Sequence, residues 1–452
     1  MISDTIAAIA TSTAGSGAIS IIRISGDEAI KIANKIFNGK NLTLQKSHTV
    51  HYGHIKCPET NAIIDEVLVM LMRSPRSFTT EDVVEINCHG GAFVTKRILE
   101  LILTHGARHA HAGEFSKRAF LNGRIDLSEA EAIMDIIEAK SNHALELAVN
   151  SLDGKVTKLI NGLREDILDI IATIEVNIDY PEYDEVEEMT NAILLPKSIS
   201  VRNTMIKLLQ TAKTGQLLKN GIKTAIIGRP NVGKSSLLNQ LMREEKAIVT
   251  DVAGTTRDTV EGFVNIGGLT LNLIDTAGIR KTDDVVESIG VEKSKKLIEE
   301  AELILLVLNS SERLTNEDKE LLQLTANKNR IVLLNKSDLN QKIKTDHLPN
   351  HILTSMIEES GIMQLENEIK SLFEITDIKS DETFISNTRH IAKLNQSLTS
   401  IESAIDQMQI GMPIDMVEID LKNSWSFLGE IMGINTSDSL IDELFTKFCL
   451  GK

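Results

Sequence analysis

One eight-residue stretch, residues 228–235, constrains the fold of this 452-residue chain more than any other. It reads Gly-Arg-Pro-Asn-Val-Gly-Lys-Ser and fills the pattern G-x-x-x-x-G-K-[ST]. The apolar run 224–227 before it is typical of a buried strand, and residues 236–241 after it have helical spacing. The N–H groups of such a turn and the positive end of the following helix converge on one anion. Because a chance glycine-rich turn would leave the flanking strand and helix unexplained, we predict a nucleotide-binding α/β domain.

The side chains of this loop suit the phosphates of a nucleotide and a metal ion. Lys234 is expected to neutralise the outer phosphates, and the Ser235 hydroxyl is expected to coordinate Mg²⁺. The predicted phosphate contacts are Asn231, Val232, Gly233, Lys234, Ser235 and Ser236.

Two shorter motifs, each after an apolar run, specify the nucleotide. Asp275-Thr276-Ala277-Gly278 offers an aspartate that can hold the metal through water, and a glycine N–H for the terminal phosphate. Asn335-Lys336-Ser337-Asp338 offers a carboxylate that only accepts hydrogen bonds, which suits the two adjacent donors of guanine. Either motif alone could be an ordinary turn. Three motifs in this order predict GTP. Ser355-Met356-Ile357 is the predicted end of the base site, with methionine in place of the usual alanine.

The first switch is predicted at residues 250–258, and its expected GTP contacts are Thr250, Asp251, Val252, Ala253, Gly254, Thr255 and Thr256. Thr256 is the expected second Mg²⁺ ligand. Small GTPases usually orient the attacking water with a glutamine after the D-x-x-G glycine, but Ile279 stands there and can neither donate nor accept. Glu287 is therefore the candidate catalytic residue, with an acidic solvated loop as the alternative. A monovalent cation held by Asn231 could supply positive charge beside the phosphates.

Composition bounds the class of protein. A hydrophobic content of 42% and a charged content of 25% are ordinary for a soluble globular protein, and the net charge of −16 argues against non-specific coating of nucleic acid. Three widely spaced cysteines indicate a reducing compartment. No apolar run approaches the roughly 20 residues of a membrane span. We therefore expect a cytoplasmic protein without a membrane segment.

The chain reads as three modules, of which one is discontinuous. Residues 1–118 mix strands and helices and predict an α+β domain, and residues 119–217 are helical. Residues 218–375 fit one α/β P-loop GTPase domain, and residues 376–452 return to helical spacing. We therefore predict that the GTPase domain is inserted into a single all-α helical domain.

Several motifs outside the phosphate loop resemble one family nearly end to end. They are Ile22-Arg23-Ile24-Ser25-Gly26, Glu81-Asp82-Val83-Val84-Glu85, His89-Gly90-Gly91, Gly113-Glu114-Phe115-Ser116-Lys117-Arg118, Gly254-Thr255-Thr256-Arg257-Asp258 and the terminal Phe448-Cys449-Leu450-Gly451-Lys452. The chain resembles the MnmE (TrmE) family of bacterial tRNA-modification GTPases, which belongs to the TrmE-Era-EngA-like GTPases. Thr80 departs from this family, which commonly has glycine there.

The resemblance implies a homodimer formed through the N-terminal domain, which binds 5-formyl-tetrahydrofolate or a related folate. The matching folate positions are Arg23, Glu85, Arg124 and Lys452. It also implies a heterotetramer with the flavoprotein MnmG, which adds a carboxymethylaminomethyl group to C5 of the wobble uridine of certain tRNAs.

For hydrolysis, the resemblance implies stimulation by K⁺, with ligands at Asn231, Thr250, Val252 and Thr255, and a catalytic role for Glu287. Cys449 either takes part in the modification chemistry or helps to dock the tail as a small apolar residue. Two other functions stay open on sequence alone: a GTP-dependent switch in ribosome assembly, and a scaffold that binds folate without donating a carbon.

Overall fold

The computed structural model describes residues 4–11, 17–179, 190–244, 262–274, 296–345, 348, 350–358, 360–373, 384–448 and 450–451. The chain divides into two compact units, residues 1–134 with 426–452, and residues 135–425. The predicted fold class is confirmed: the chain has an α+β N-terminal part, helical segments on both sides of the nucleotide domain, and an α/β P-loop domain between them. The boundaries at residues 118, 217 and 375 stay predictions.

The described strands in chain order are β1 (Ile6–Ile9), β2 (Ile19–Ser25), β3 (Phe37–Asn38), β4 (Thr49–Lys56), β5 (Ile63–Met72), β6 (Val83–His89), β7 (Arg108–His109), β8 (Ile222–Ile227), β9 (Gly262–Ile266), β10 (Leu269–Leu273), β11 (Leu303–Asn309), β12 (Arg330–Asn335) and β13 (His351–Leu353). The principal helices are α1 (Ala29–Ile36), α2 (Ala92–Thr104), α3 (Glu114–Leu121), α4 (Leu127–Glu138), α5 (Asn142–Leu152), α6 (Lys155–Asp179), α7 (Leu195–Asn220), α8 (Lys234–Glu244), α9 (Asn316–Leu324), α10 (Ile362–Leu372), α11 (Thr388–Gln409), α12 (Ile414–Ile431) and α13 (Asp438–Thr446).

The first unit is built on a seven-stranded sheet with the order β3-β4-β5-β6-β2-β1-β7. Strand β2 buries Ile22 and Ile24 in the core. Because side chains alternate along a strand, Arg23 between them lies on the opposite face. Arg23 is paired in register with Glu85 of β6, so the sheet itself brings these two predicted site residues together.

An ion network around the buried side chain of Arg118 joins motifs of the first unit. The Arg118 side chain is 1% exposed and contacts Asp4 at 2.7 Å, Glu81 at 3.1 Å and Glu114 at 3.1 Å. Arg108 adds bonds to Asp4 at 2.7 Å and to Glu114 at 2.5 Å. The charged residues of these motifs therefore stabilise the fold of this unit, and only some of them are available for a ligand.

Thr80 adopts a backbone conformation that favours glycine. Its φ is 62°, in the left-handed region that a β-branched residue rarely adopts. The change Thr80→Gly should relieve this strain and raise the free energy of unfolding by about 1 kcal/mol, after the entropic cost of glycine. Urea titration of the full chain measures the change. Thr80→Ala keeps a Cβ in the same conformation and should gain less than half as much. Equal gains would contradict a backbone origin.

The second unit combines a six-stranded sheet with helices. The strand order is β13-β12-β11-β8-β10-β9, and all neighbours are parallel except β9 with β10. Both faces of this sheet are covered by apolar clusters, as expected for a parallel sheet. Parallel strands place all their carboxyl ends at one edge, which is where nucleotides bind in such folds.

Helices from before and after the nucleotide domain pack together in the second unit. Ser397 of α11 lies 4.0 Å from the sulfur of Met205 in α7 and donates to the carbonyl of Ser424 in α12 at 3.0 Å. Arg164 of α6 stacks on the ring of Trp425 in α12 at 4.1 Å. These contacts join segments separated by the whole nucleotide domain, as an inserted domain requires. Within the described ranges, no helix combines the length and the apolar character needed to cross a membrane.

Candidate functional site

The phosphate loop connects β8 to α8, and its glycines are required by conformation and by space. Gly228 and Gly233 have φ values of 152° and 103°. A Cβ on Gly228 would lie 2.4 Å from the carbonyl oxygen of Val307, and one on Gly233 would lie 2.0 Å from Nδ2 of Asn335. Both glycines are therefore needed for the loop to approach the neighbouring strands.

Lys234, the first residue of α8, is held over this loop. Its Nζ donates to the carbonyl oxygens of Gly228 at 2.7 Å and Arg229 at 2.8 Å. Burial lowers the pKa of Lys234. An anionic phosphate beside the ammonium group would favour the charged form, so this side chain is poised to bind a negative ligand.

The predicted base-recognition residues Asn335, Lys336 and Asp338 lie at the end of β12, next to the phosphate loop. Asn335 donates from Nδ2 to the carbonyl of Val232 at 2.8 Å, which ties the two loops together. Its Oδ1 is buried and has no hydrogen-bond partner in the part of the chain that the structure describes, so it can accept from a ligand. Lys336 has a φ of 63°, and its carbonyl accepts from Ser310 at 2.9 Å.

The predicted base loop reaches the same place. Asp338 accepts a hydrogen bond from Ser355 at 2.7 Å, which orients the carboxylate. Met356 is partly buried against the core of the second unit, so the larger side chain fills apolar space, and Ile357 is exposed. The described parts of the phosphate loop, the N-K-x-D motif and the base loop therefore converge on one edge of the sheet.

Asp338→Asn should weaken GTP binding about 10- to 100-fold, because an amide cannot accept from both guanine donors as a carboxylate does. Xanthine presents a carbonyl where guanine has an amino group, so the variant should prefer xanthosine triphosphate. Competition of both nucleotides against a fluorescent GDP derivative measures the ratio. Asp406→Asn, on the exposed surface of α11, is the control and should bind GTP as the wild type does. An unchanged ratio for Asp338→Asn would remove this residue from base recognition.

Part of the predicted site lies outside the described residues. These positions are Thr250, Asp251, Val252, Ala253, Gly254, Thr255, Thr256, Asp275, Thr276, Ala277, Gly278, Glu287, Cys449 and Lys452. Of the predicted metal ligands, Ser235 in the first turn of α8 and Asn231 in the phosphate loop are described. Asn231 is exposed with a φ of 62°. The described residues contain no group of three or more His, Cys, Asp or Glu side chains that could hold a metal.

A second cluster lies in the first unit around Phe78. Arg23 donates from Nε to Glu85 at 2.8 Å, and its guanidinium lies 5.9 Å from the Phe78 ring and 5.7 Å from the Phe115 ring. Arg124 covers the same Phe78 ring at 5.4 Å and donates to the Ser77 carbonyl. Three of the four predicted folate positions are thus brought together, and we call this group the arginine–phenylalanine cluster.

Gly451 of the C-terminal motif contacts this cluster. The carbonyl of Gly451 accepts from Nη1 of Arg23 at 3.1 Å. Gly451 has a φ of 91°, and a Cβ there would lie 2.4 Å from the carbonyl oxygen of Ile9. Glycine is therefore the residue that lets the tail sit on the end of β1.

Sequence patterns missed several residues of both sites. Phe78 and Phe115 carry the aromatic surface of the cluster; Phe78 lies in no motif, and Phe115 lies in the motif at residues 113–118, which gave no sign of an aromatic role. Arg229 and Asp318 form an ion pair beside the phosphate loop at 3.1 Å. Two sequence features could have suggested this pair: Arg229 lies inside the phosphate-loop motif, and Asp318 lies three residues after Thr315 in a helix-capping pattern.

Comparisons with known proteins identify the family of the chain. The model of the MnmE helical domain matches residues 127–449, and that of the GTP-binding protein TrmE N-terminus matches residues 5–124. The chain is 55% identical to the tRNA modification GTPase MnmE of Bacillus cytotoxicus over 456 residues, covering 99% of each chain. It is 54% identical to that of Ligilactobacillus salivarius, covering 99% of this chain and 98% of the relative.

Among solved structures, Era in complex with MgGDPNP and 16S ribosomal RNA nucleotides is 28% identical. The match covers 40% of this chain and 66% of that chain, with a TM-score of 0.26, which is too low to add to the assignment. The identity and coverage of the full-length relatives are decisive. The chain belongs to the MnmE (TrmE) family of tRNA modification GTPases.

Proposed function

We propose that this tRNA modification GTPase is stimulated by potassium and acts together with the flavoprotein MnmG. In this proposal it adds a carboxymethylaminomethyl group to C5 of the wobble uridine of certain tRNAs and takes a one-carbon unit from a tetrahydrofolate. The observation that carries the proposal is the arginine–phenylalanine cluster beneath Gly451. A GTPase that served only as a switch would have no use for a second, half-buried site of this kind.

The cluster has the chemistry of a folate site. The Arg124 guanidinium suits a carboxylate, Arg23 orients Glu85 through their ion pair, and the Phe78 ring suits a flat heterocycle. Glu85 is already neutralised by Arg23, so it can accept from a ring N–H without becoming an unpaired buried charge. A bound 5-formyl-tetrahydrofolate, or a related folate, would supply the one-carbon unit. Lys452 directly follows Gly451 and Cys449 precedes it by two residues, which supports a contact of Lys452 with the folate and a role of the Cys449 thiol in the modification.

The nucleotide site has the groups needed to hold GTP for hydrolysis. In this proposal Lys234 pairs with the outer phosphates, Asp338 recognises guanine and Glu287 orients the attacking water. Mg²⁺ would be held by Ser235 and Thr256, and K⁺ by Asn231, Thr250, Val252 and Thr255. Both ions supply positive charge where negative charge develops. The hydroxyl of Ser235 and the exposed amide of Asn231 are oxygen donors of the type such cations bind.

An exposed apolar patch supports the proposed homodimer. Tyr52 of β4 and Leu68 of β5 are direct cross-strand neighbours, and their exposed fractions are 62% and 47%. Val50 on the same strand is 54% exposed. Exposed apolar patches of this kind mark interaction surfaces. We propose that a second copy covers this face, that two copies form a heterotetramer with MnmG, and that the assembly acts on tRNA in the cytoplasm.

Nucleoside analysis by mass spectrometry tests the proposal. Cells lacking this protein should lose the carboxymethylaminomethyl group from wobble uridine, and the wild-type gene should restore it. Arg124→Met should fail to restore it, whereas Arg76→Met on an exposed loop should restore it. Normal wobble uridine in the deletion strain would refute the modification function, and full rescue by Arg124→Met would refute the folate site.

Hydrolysis by the purified full chain should be at least about 10-fold faster in potassium than in sodium at equal ionic strength, because a cation that fits the phosphate site offsets developing charge. Asn231→Ala should remove most of this difference. Phosphate release measures both rates. Equal rates in the two salts would exclude a potassium site.

A further inference from the structure

The phosphate loop contains an arginine, Arg229, whose side chain faces two carboxylates. Its Nε lies 3.1 Å from both carboxylate oxygens of Asp318, and its Nη2 bonds to Glu312. The Arg229 side chain is 17% exposed. Because both acids accept from the same guanidinium, its charge is neutralised within the protein. Arg229 is therefore not available to pair with a phosphate in this arrangement, and any effect on the nucleotide passes through the loop.

Asp318 is built to hold this arginine. Its side chain is only 3% exposed, so an unpaired carboxylate there would be costly. It also accepts from the backbone N–H of Thr315 at 2.9 Å and from the Thr315 hydroxyl at 2.8 Å, as part of the capping box that begins α9. These bonds fix the carboxylate on a helix N-terminus, which is a rigid support for the loop.

Glu312, the second acid, links Arg229 to strands β11 and β12, and β12 ends at the predicted guanine-binding residues. Glu312 accepts from Nδ2 of Asn309 at 2.7 Å, and Asn309 of β11 is paired in register with Asn335 of β12. Asn335 in turn donates to the carbonyl of Val232. The loop is thus anchored at residue 229 through the side chain and at residue 232 through the backbone.

The position of Arg229 also sets the position of the phosphate-binding lysine. The backbone carbonyl of Arg229 accepts a hydrogen bond from Nζ of Lys234 at 2.8 Å. A loop released from Asp318 would move this carbonyl, and the N–H groups of the loop with it. We infer that Arg229 is a positioning residue that holds the phosphate loop in its binding geometry through Asp318 and Glu312. This inference rests on the proposed function, since it takes the loop to bind the phosphates of GTP.

The test compares ligands that differ only in phosphate. Competition of GDP and of GMP against a fluorescent GDP derivative is measured on the full chain. Arg229→Met should weaken GDP binding about 10-fold, the effect expected from a lost charge-assisted bond, and GMP binding by less than twofold. Arg229→Lys keeps the positive charge without the bidentate fork, so its GDP affinity should lie between those of the wild type and Arg229→Met. Asp318→Asn should resemble Arg229→Met, and the double variant should be no worse than either.

Lys370→Met, which removes an ion pair of α10 in the same unit, is the matched control and should leave the ratio of GDP to GMP affinity unchanged. An equal loss of GDP and GMP affinity in Arg229→Met would show a general structural role and overturn the inference. GDP affinity within twofold of wild type would overturn it as well. A wild-type chain that binds no guanine nucleotide would instead overturn the proposed function itself.

Discussion

Glu287→Ala is expected to leave GTP binding within twofold of wild type and to slow hydrolysis about 10²- to 10⁴-fold, the range for removal of a group that handles the proton of the attacking water. The reason is that Ile279 cannot orient water, whereas the groups proposed to hold the nucleotide, Lys234 and Asp338, are untouched. Single-turnover hydrolysis with excess enzyme isolates the chemical step from product release.

The control for this change is Glu299→Ala, which removes an exposed carboxylate from a helical segment of the same unit. It should hydrolyse GTP at the wild-type rate. Potassium-stimulated turnover of Glu287→Ala equal to that of the wild type would assign the catalytic role to another residue. Loss of GTP binding in Glu287→Ala would instead indicate a structural role.

Arg118→Met is expected to destabilise the first unit by about 3–5 kcal/mol, because it removes a buried cation and leaves the largely buried Glu81 unpaired. Glu81 loses its only ion pair among the described residues, and Glu114 keeps only Arg108. Urea titration with amide exchange measured at β1 and β2 reports this unit separately. Arg97→Met breaks an ion pair whose side chains are about half exposed and should cost no more than about 0.5 kcal/mol. A similarly small loss for Arg118→Met would contradict a stabilising network.

The pH dependence of the same variant gives a second check. Burial raises the pKa of Glu114, but hydrogen bonds from Arg108, from the His111 N–H and from Arg118 outweigh it, so the pKa is lowered from 4.5. Hydrogen bonding to Arg108 is the main cause that lowers the pKa of Asp4. Stability from these acids is therefore present above their unfolded-state pKa and lost as the pH falls through the folded-state pKa. The difference in the free energy of unfolding between wild type and Arg118→Met should become smaller below about pH 4.

Local patterns predicted the elements that have strong periodicity or a fixed motif. Apolar runs at residues 18–24 and 83–86 predict strands and the spacing around 92–104 predicts a helix, and β2, β6 and α2 lie there. The phosphate loop lies where its motif predicts it, between β8 and α8. Apolar residues spaced three and four apart over residues 152–174 predict a buried helical face, and helix α6 buries Val156, Ile167 and Ile174 on that face. Strand β4 was not predicted, since His and Gly interrupt its alternating pattern.

What the sequence could not predict depends on contacts between distant residues. Arg23 and Gly451 are 428 positions apart, and only the folded first unit shows that they are bonded. The pair of Arg229 with Asp318 spans 89 positions and crosses from a loop to a helix cap. Motifs identify which residues carry charge. They do not show whether that charge is free for a ligand or already neutralised by another side chain.

The indole stacked on Arg164 belongs to the single tryptophan of the chain. Tryptophan fluorescence of the intact protein therefore reports on one place, the contact between α6 and α12. A nucleotide added to the sheet edge should alter this emission only if its effect travels as far as those helices. Without any added label, the emission of Trp425 thus measures whether nucleotide binding to the GTPase portion changes the helical portion of the second unit.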